Sequence, residues 1–183
     1  MRHALPLAAL PLLAACAGTP SLDDPKLSSR DLDLEAFFDG PSVAHGQFMD
    51  RFGTVRRRFE VQIDGDWDGE VLTLTEDFVY EDGATERRVW RLRKTGPVTE
   101  DQAWEGTAEG VQGVARGQER GDTFNWRYTI DLPIPSADGS VDTLRASFDD
   151  WMWQLTGDRL LNKAYMSRLG VRIGEVVLFF EKA

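Results

Sequence analysis

The sequence predicts an all-β domain, an antiparallel meander of about nine or ten strands closing into a barrel. Three observations predict it. In TFNWRYTIDL (123–132), Phe124, Trp126, Tyr128, Ile130 and Leu132 alternate with polar residues, the period-two pattern of a strand with one buried face. Turn dipeptides recur at hairpin spacing: Asp64-Gly65, Asp68-Gly69, Asp82-Gly83, Gly96-Pro97, Asp138-Gly139 and Gly157-Asp158. After residue 45 no long stretch carries apolar residues at helical spacing.

The chain opens with MRHALPLAALPLLAAC. Arg2 precedes an apolar run over 4–15 that is too short to span a bilayer, so residues 1–15 are expected to be a signal peptide. Leu13-Ala14-Ala15-Cys16 resembles the bacterial lipobox, which implies cleavage before Cys16 and acylation of its thiol. Several acyl carbons make a stable anchor, since each buried methylene contributes about 0.8 kcal/mol. Ala17 follows the cysteine. By resemblance to proteobacterial lipoproteins, this implies the inner leaflet of the outer membrane, facing the periplasm. The expected partner is thus a membrane, held through the lipid on Cys16. Cys16 is also the one cysteine, so a single chain forms no disulfide and has no thiol for catalysis. AGTPSLDDPKLSSR, rich in Ser, Pro and Asp, reads as a tether. The expected organisation is 1–15 signal peptide, 16–30 lipidated cysteine and tether, 31–183 barrel.

In DLEAFF (33–38), Leu34, Phe37 and Phe38 fall at i, i+3 and i+4, and Gly40-Pro41 stops the run. This predicts a short helical turn that plugs the domain. Strand patterns follow in RRRFEVQI, with Phe59, Val61 and Ile63, and in VLTLTEDFVY, with Leu72, Leu74, Phe78 and Tyr80. EGTAEGVQGVARGQERG (105–121) is Gly-rich but lacks the strand-to-helix context of a phosphate loop, so its glycines are expected at bulges and barrel corners. EVVLFFEK is apolar on both faces and reads as a central strand.

The net charge of −10 argues against nucleic acid as a partner. Arg56, Arg58, Glu60, Gln62, Arg91 and Arg93 on the expected outer face argue against a membrane-spanning barrel. His45 is the one histidine beyond the signal segment, which supports neither a zinc site nor a Ser-His-Asp triad. No metal, cofactor or catalytic residue is therefore expected.

Candidate ligand-binding residues come from strand parity. In SFDDWMWQL (147–155), Phe148, Asp150 and Met152 share one face, and Asp149, Trp151 and Trp153 the other. The two acids cannot form a tight dyad, and one of them is expected to face inward. Parity likewise puts Glu76 with Leu74 and Phe78, and Arg88 with Trp90 and Leu92. Glu76, Arg88 and one of Asp149/Asp150 are expected to meet inside the barrel, either as a clamp for a polar headgroup or as an internal ion network fixing register. Trp90, Trp126 and Trp151 are the expected apolar wall. Arg56, Arg57 and Arg58, with Arg87, Arg88, Arg91, Arg93 and Lys94, would form a local basic surface or pair with nearby acids.

LDLEAFFDGPSVAHGQFMDRFGTVRRRF, LTEDFVYEDGATERRVWRL, EGTAEGVQGVARG, FDDWMWQL and LLNKAYMSRLGVRIGEVVLFF together resemble the DUF3833 family of proteobacterial envelope lipoproteins. The resemblance implies a lipocalin- or calycin-like barrel and an envelope lipoprotein, with genes tending to lie near those of fatty-acid-modifying enzymes. It supplies no catalytic residues, and Glu109 stands where Asp is common in the family. Three functions follow as expectations. The first is a binding module for a lipid-like or apolar ligand. The second is an accessory envelope lipoprotein with a packed barrel and a protein partner. The third is a carboxylate-dependent hydrolase with two inward carboxyls.

Overall fold

A computed structural model describes residues 18–25, 28–96, 101–135 and 139–183. Cys16, the expected lipidation site, and the signal segment lie outside the described residues. The chain runs α1 (Leu34–Phe38), β1 (Gly40–Asp50), β2 (Val55–Trp67), β3 (Val71–Tyr80), β4 (Thr85–Thr95), β5 (Asp101–Thr107), β6 (Ala115–Arg120), β7 (Thr123–Pro135), β8 (Val141–Thr156), β9 (Arg159–Arg168) and β10 (Val171–Lys182). Each strand pairs antiparallel with the next, and β1 closes on β10 to complete a ten-strand barrel. The fold is thus the all-β barrel with one short helical turn that the sequence predicts. Closure removes sheet edges, so each backbone ladder has a neighbour on both sides.

The helical turn forms because Asp33 caps it: its carboxylate accepts from the Ala36 amide at 3.0 Å, satisfying a donor the first turn leaves open. Leu34, Phe37 and Phe38 are each no more than 3% exposed, which seats α1 as a plug in one end of the barrel. The plug comes this close because residue 65 is glycine. A Cβ there would stand 1.7 Å from the Phe38 carbonyl oxygen. Lys94 of β4 holds Glu35 of the plug through an ion pair, and Phe38 meets Phe180 of β10 edge to face at 5.6 Å.

β6 departs from the expectation of bulges and corners over 105–121. Residues 115–120 form a regular strand whose inward positions are Ala115, Gly117 and Glu119. It carries no apolar alternation because Trp126 of β7 fills the space its side chains would take. A Cβ on Gly117 would meet the Trp126 ring at 2.5 Å, and one on Gly106 of β5 would meet it at 3.0 Å. Two small residues on β5 and β6 thus form the bed of one indole. The bend between them, around residues 108–114, is tied back to β7 by the Asp131 amide, which donates to the Gly110 carbonyl at 2.9 Å.

The basic runs do not form an open cationic face. Arg56 pairs with Asp50, Arg58 with Glu81, Arg87 with Asp77 and Arg93 with Glu105. Arg57 and Arg88 turn inward. Part of the stretch read as tether lies against the wall: Asp23 accepts from Arg120 at 2.7 Å.

Candidate functional site

The barrel is hollow. A cavity of about 400 Å³ lies between the α1 plug at one end and the hairpin turns at the other. That is within the range of small-molecule sites, about 300–1,000 Å³. The register stacks the wall of β3 and β4 in layers. From the plug upward, Leu72 faces Leu92, Leu74 faces Trp90, Glu76 faces Arg88 and Phe78 faces Glu86; Tyr80 ends β3 beside the mouth. On the opposite wall Trp126 pairs with Asp150 and Tyr128 with Phe148. A polar band therefore crosses an otherwise aromatic interior, with an apolar floor beneath it. Trp126 anchors that floor, meeting Trp90 edge to face at 5.7 Å and stacking on Phe124 at 5.6 Å.

Arg88 is the centre of the band. Its Nη2 donates to Glu86 Oε1 at 2.5 Å, and its guanidinium lies 5.3 Å from the Phe78 ring. Burial works against its charge, but Tyr128, Glu76 and Glu86 outweigh burial and hold it protonated. Glu76 has no such bond. Surrounded by the barrel wall, it is pushed up to about 7 by burial, with Arg88 opposing and Glu86 reinforcing the rise. Asp150 is pushed up to about 8 by burial, against a long hydrogen bond of 3.4 Å from the Tyr128 hydroxyl. Its second oxygen, Oδ1, is buried without a partner among the described residues. Near neutral pH, then, the interior holds one firm ion pair and two carboxyls poised to carry protons. A protonated carboxyl donates as well as accepts, so this band can hydrogen-bond a polar group of either kind.

Of the residues singled out from the sequence, Glu76, Arg88, Trp90, Trp126 and Asp150 line the cavity together. Asp149 and Trp151 do not. Asp149 faces outward, where Asn125 donates to it at 2.8 Å and Arg127 at 3.0 Å. Trp151 is also on the outer face, yet only 1% exposed; it stacks with Trp153 and borders a polar depression that Pro20, Ser21 and Leu22 also line. Strand alternation settles which way a side chain points, but not whether it is buried there. His45 is on the outer face, 3.7 Å from Glu60.

The same alternation could have found Arg57, Tyr80, Glu86 and Tyr128, which also line the cavity. Arg57 shares parity with Phe59, and Glu86 shares it with Arg88. Arg57 sits 3.4 Å over the Tyr80 ring and bonds Asp82 at the lip of the mouth. Tyr80 donates to Glu86 at 2.9 Å, so the mouth is itself hydrogen-bonded. A third buried acid, Glu119, lies at the plugged end. The Trp104 indole N–H donates to it at 2.9 Å, and burial still pushes it up to about 7.

These features define a closed, ten-strand up-and-down barrel with a hollow interior. A family model described as Protein of unknown function (DUF3833) matches residues 10–182, nearly the whole chain, and the chain belongs to that family. No curated protein matches it.

Proposed function

We propose that the chain is an envelope lipoprotein, anchored through an acylated Cys16, whose barrel holds a single lipid-like amphiphile. The observation that carries the reading is the cavity of about 400 Å³, lined by Trp90, Trp126, Phe124 and Leu74 below a band of Arg88, Glu76 and Asp150. An interior filled by its own side chains would serve a purely structural barrel, and this interior is not filled. The apolar floor supplies burial at roughly 25 cal/mol per Å². The polar band orients a headgroup that accepts hydrogen bonds from Arg88 and from the protonated carboxyls. The unpartnered Asp150 oxygen gains a partner when such a head arrives, which is a gain in the bound state that water in a narrow apolar site gives less well.

Quenching by an amphiphile with a brominated acyl tail tests this reading. Only Trp90 and Trp126 of the six tryptophans line the cavity. The probe is expected to quench part of the tryptophan emission with one-to-one saturation, and the quenched part is expected to fall in Trp126→Phe. Quenching that never saturates, or that survives Trp90→Phe with Trp126→Phe, would overturn the reading.

A further inference from the structure

One side of the cavity mouth carries side chains that a barrel alone in water does not explain. The β1–β2 and β10–β9 hairpins stand side by side there, joined by the Arg51 amide donating to the Ile173 carbonyl at 3.1 Å. Their tips are apolar and bare: Phe52 is 78% exposed, Leu169 95% and Val171 55%. Leu169 is the most telling. It opens a two-residue turn with Gly170, and both have positive φ, 50° and 78°. Such a turn favours Asn or Gly at its first position, since a leucine in the left-handed region costs roughly 1–2 kcal/mol. The chain thus holds a leucine in an unfavourable conformation and points it into solvent. Cations surround these tips. Arg51, Arg56, Arg168 and Arg172 lie within the two hairpin ends against one carboxylate, Asp50, which already bonds Arg56 and two turn amides. Among the described residues Arg51, Arg168 and Arg172 have no acidic partner, on a protein whose net charge is −10.

We propose that this rim docks the open mouth onto an anionic lipid bilayer, with Phe52, Leu169 and Val171 entering the headgroup region and the arginines meeting lipid phosphates. Apolar tips flanked by cations match such a surface, which offers lipid phosphates beside an apolar layer. The inference rests on the reading of the cavity as an amphiphile site, since docking there would let a lipid pass between bilayer and barrel without crossing water.

The test uses the chain from Gly18 to Ala183, which keeps the plug and all ten strands but not the anchor, sedimented with vesicles. Binding is expected to phosphatidylcholine mixed with phosphatidylglycerol, to weaken as salt is raised, and to be at least about fivefold weaker on phosphatidylcholine alone. Leu169→Asn and Phe52→Ser are each expected to weaken it about tenfold, the loss of one large apolar side chain from the bilayer. Leu169→Asn is also expected to raise the melting temperature, because asparagine suits the turn, so its loss of binding cannot come from unfolding. Equal binding to both vesicles, no binding, or binding unchanged by Leu169→Asn would overturn the proposal. So would a cross-link at residue 52 to a soluble protein without vesicle binding. Failure here is separable from failure of the cavity reading, because the rim variants keep Trp90 and Trp126 and are still expected to show the quenching above at equilibrium.

Discussion

Glu76 faces Arg88 directly across the β3–β4 ladder, yet the arginine gives its short hydrogen bond to Glu86, two residues away on its own strand. One cation thus serves two carboxyls. Glu86 takes the bond and Glu76 is left facing the cavity with its pKa raised to about 7. An interior network built only to fix register would satisfy both. Leaving one poised is what the proposed ligand site asks for.

Arg88→Met removes the cation from this pair and leaves Glu86 without its buried partner. Breaking a fully buried pair by deleting one side costs about 3–5 kcal/mol when the remaining charge stays ionised, and the cost is smaller here because Glu86 is partly exposed and keeps its bond from Tyr80. The melting temperature at pH 8 is expected to fall, and the deficit to shrink at pH 5, where Glu76 is protonated. Thermal melts at the two pH values check it, and a deficit independent of pH would contradict it.

Three acids have folded-state pKa values above their ordinary ones: Glu76 and Glu119 at about 7, and Asp150 at about 8. A raised folded-state pKa means the folded chain holds the proton more tightly than the unfolded one. That contribution is complete below about pH 4 and is lost as pH rises through 7 to 8. Opposing it, surface carboxylates such as Asp77 and Asp131 are held low by Arg87 and Arg145 and lose their contribution only in acid. Between pH 6 and 9 the buried acids dominate, so stability is expected to decline. Asp150→Asn is expected to flatten that decline and to melt at least about 3 °C higher than the parent at pH 9. Melts across this range measure it.

Gly117→Ala places a methyl 2.5 Å from both the Asn125 carbonyl oxygen and the Trp126 ring. One neighbour is backbone and the other is the floor of the cavity, so neither yields freely. A loss of about 1–3 kcal/mol is expected in denaturant unfolding, together with a changed near-ultraviolet circular dichroism as the indole shifts. Gly18→Ala, with nothing near its Cβ, is the matched control.

Phe38→Ala opens the plugged end. Phe38 is 3% exposed, packs on Phe37 and Phe180 and borders the cavity. About 3–5 kcal/mol of stability is expected to go, with a larger cavity left behind. Binding of a longer-tailed brominated amphiphile is expected to improve relative to a shorter one, which paired titrations would show.

Strand alternation made much of this site legible. Glu76, Arg88, Trp90 and Trp126 follow from parity, because each strand of a closed barrel has one face inside, whereas parity put one of Asp149 and Asp150 inside without saying which, and the structure turns Asp150 inward. The plug was legible from Leu34, Phe37 and Phe38 at helical spacing. β6 was not, since its core-facing glycine has no side chain to register in the pattern and the indole that replaces it belongs to another strand. Trp151 was misplaced in the expected wall for a related reason. It is buried on the outer face, beside a depression that residues 20–22 also line, and no local period records what distant parts of the chain bring there.

The most direct measurement is native mass spectrometry of the protein purified from the cells that make it, with solvent extraction of whatever accompanies it. One amphiphile per chain is expected, beyond any acyl groups on Cys16, retained at low collision energy and lost or exchanged in Trp126→Ala and Arg88→Met. A protein of bare mass under the same conditions, with both variants behaving alike, would contradict it.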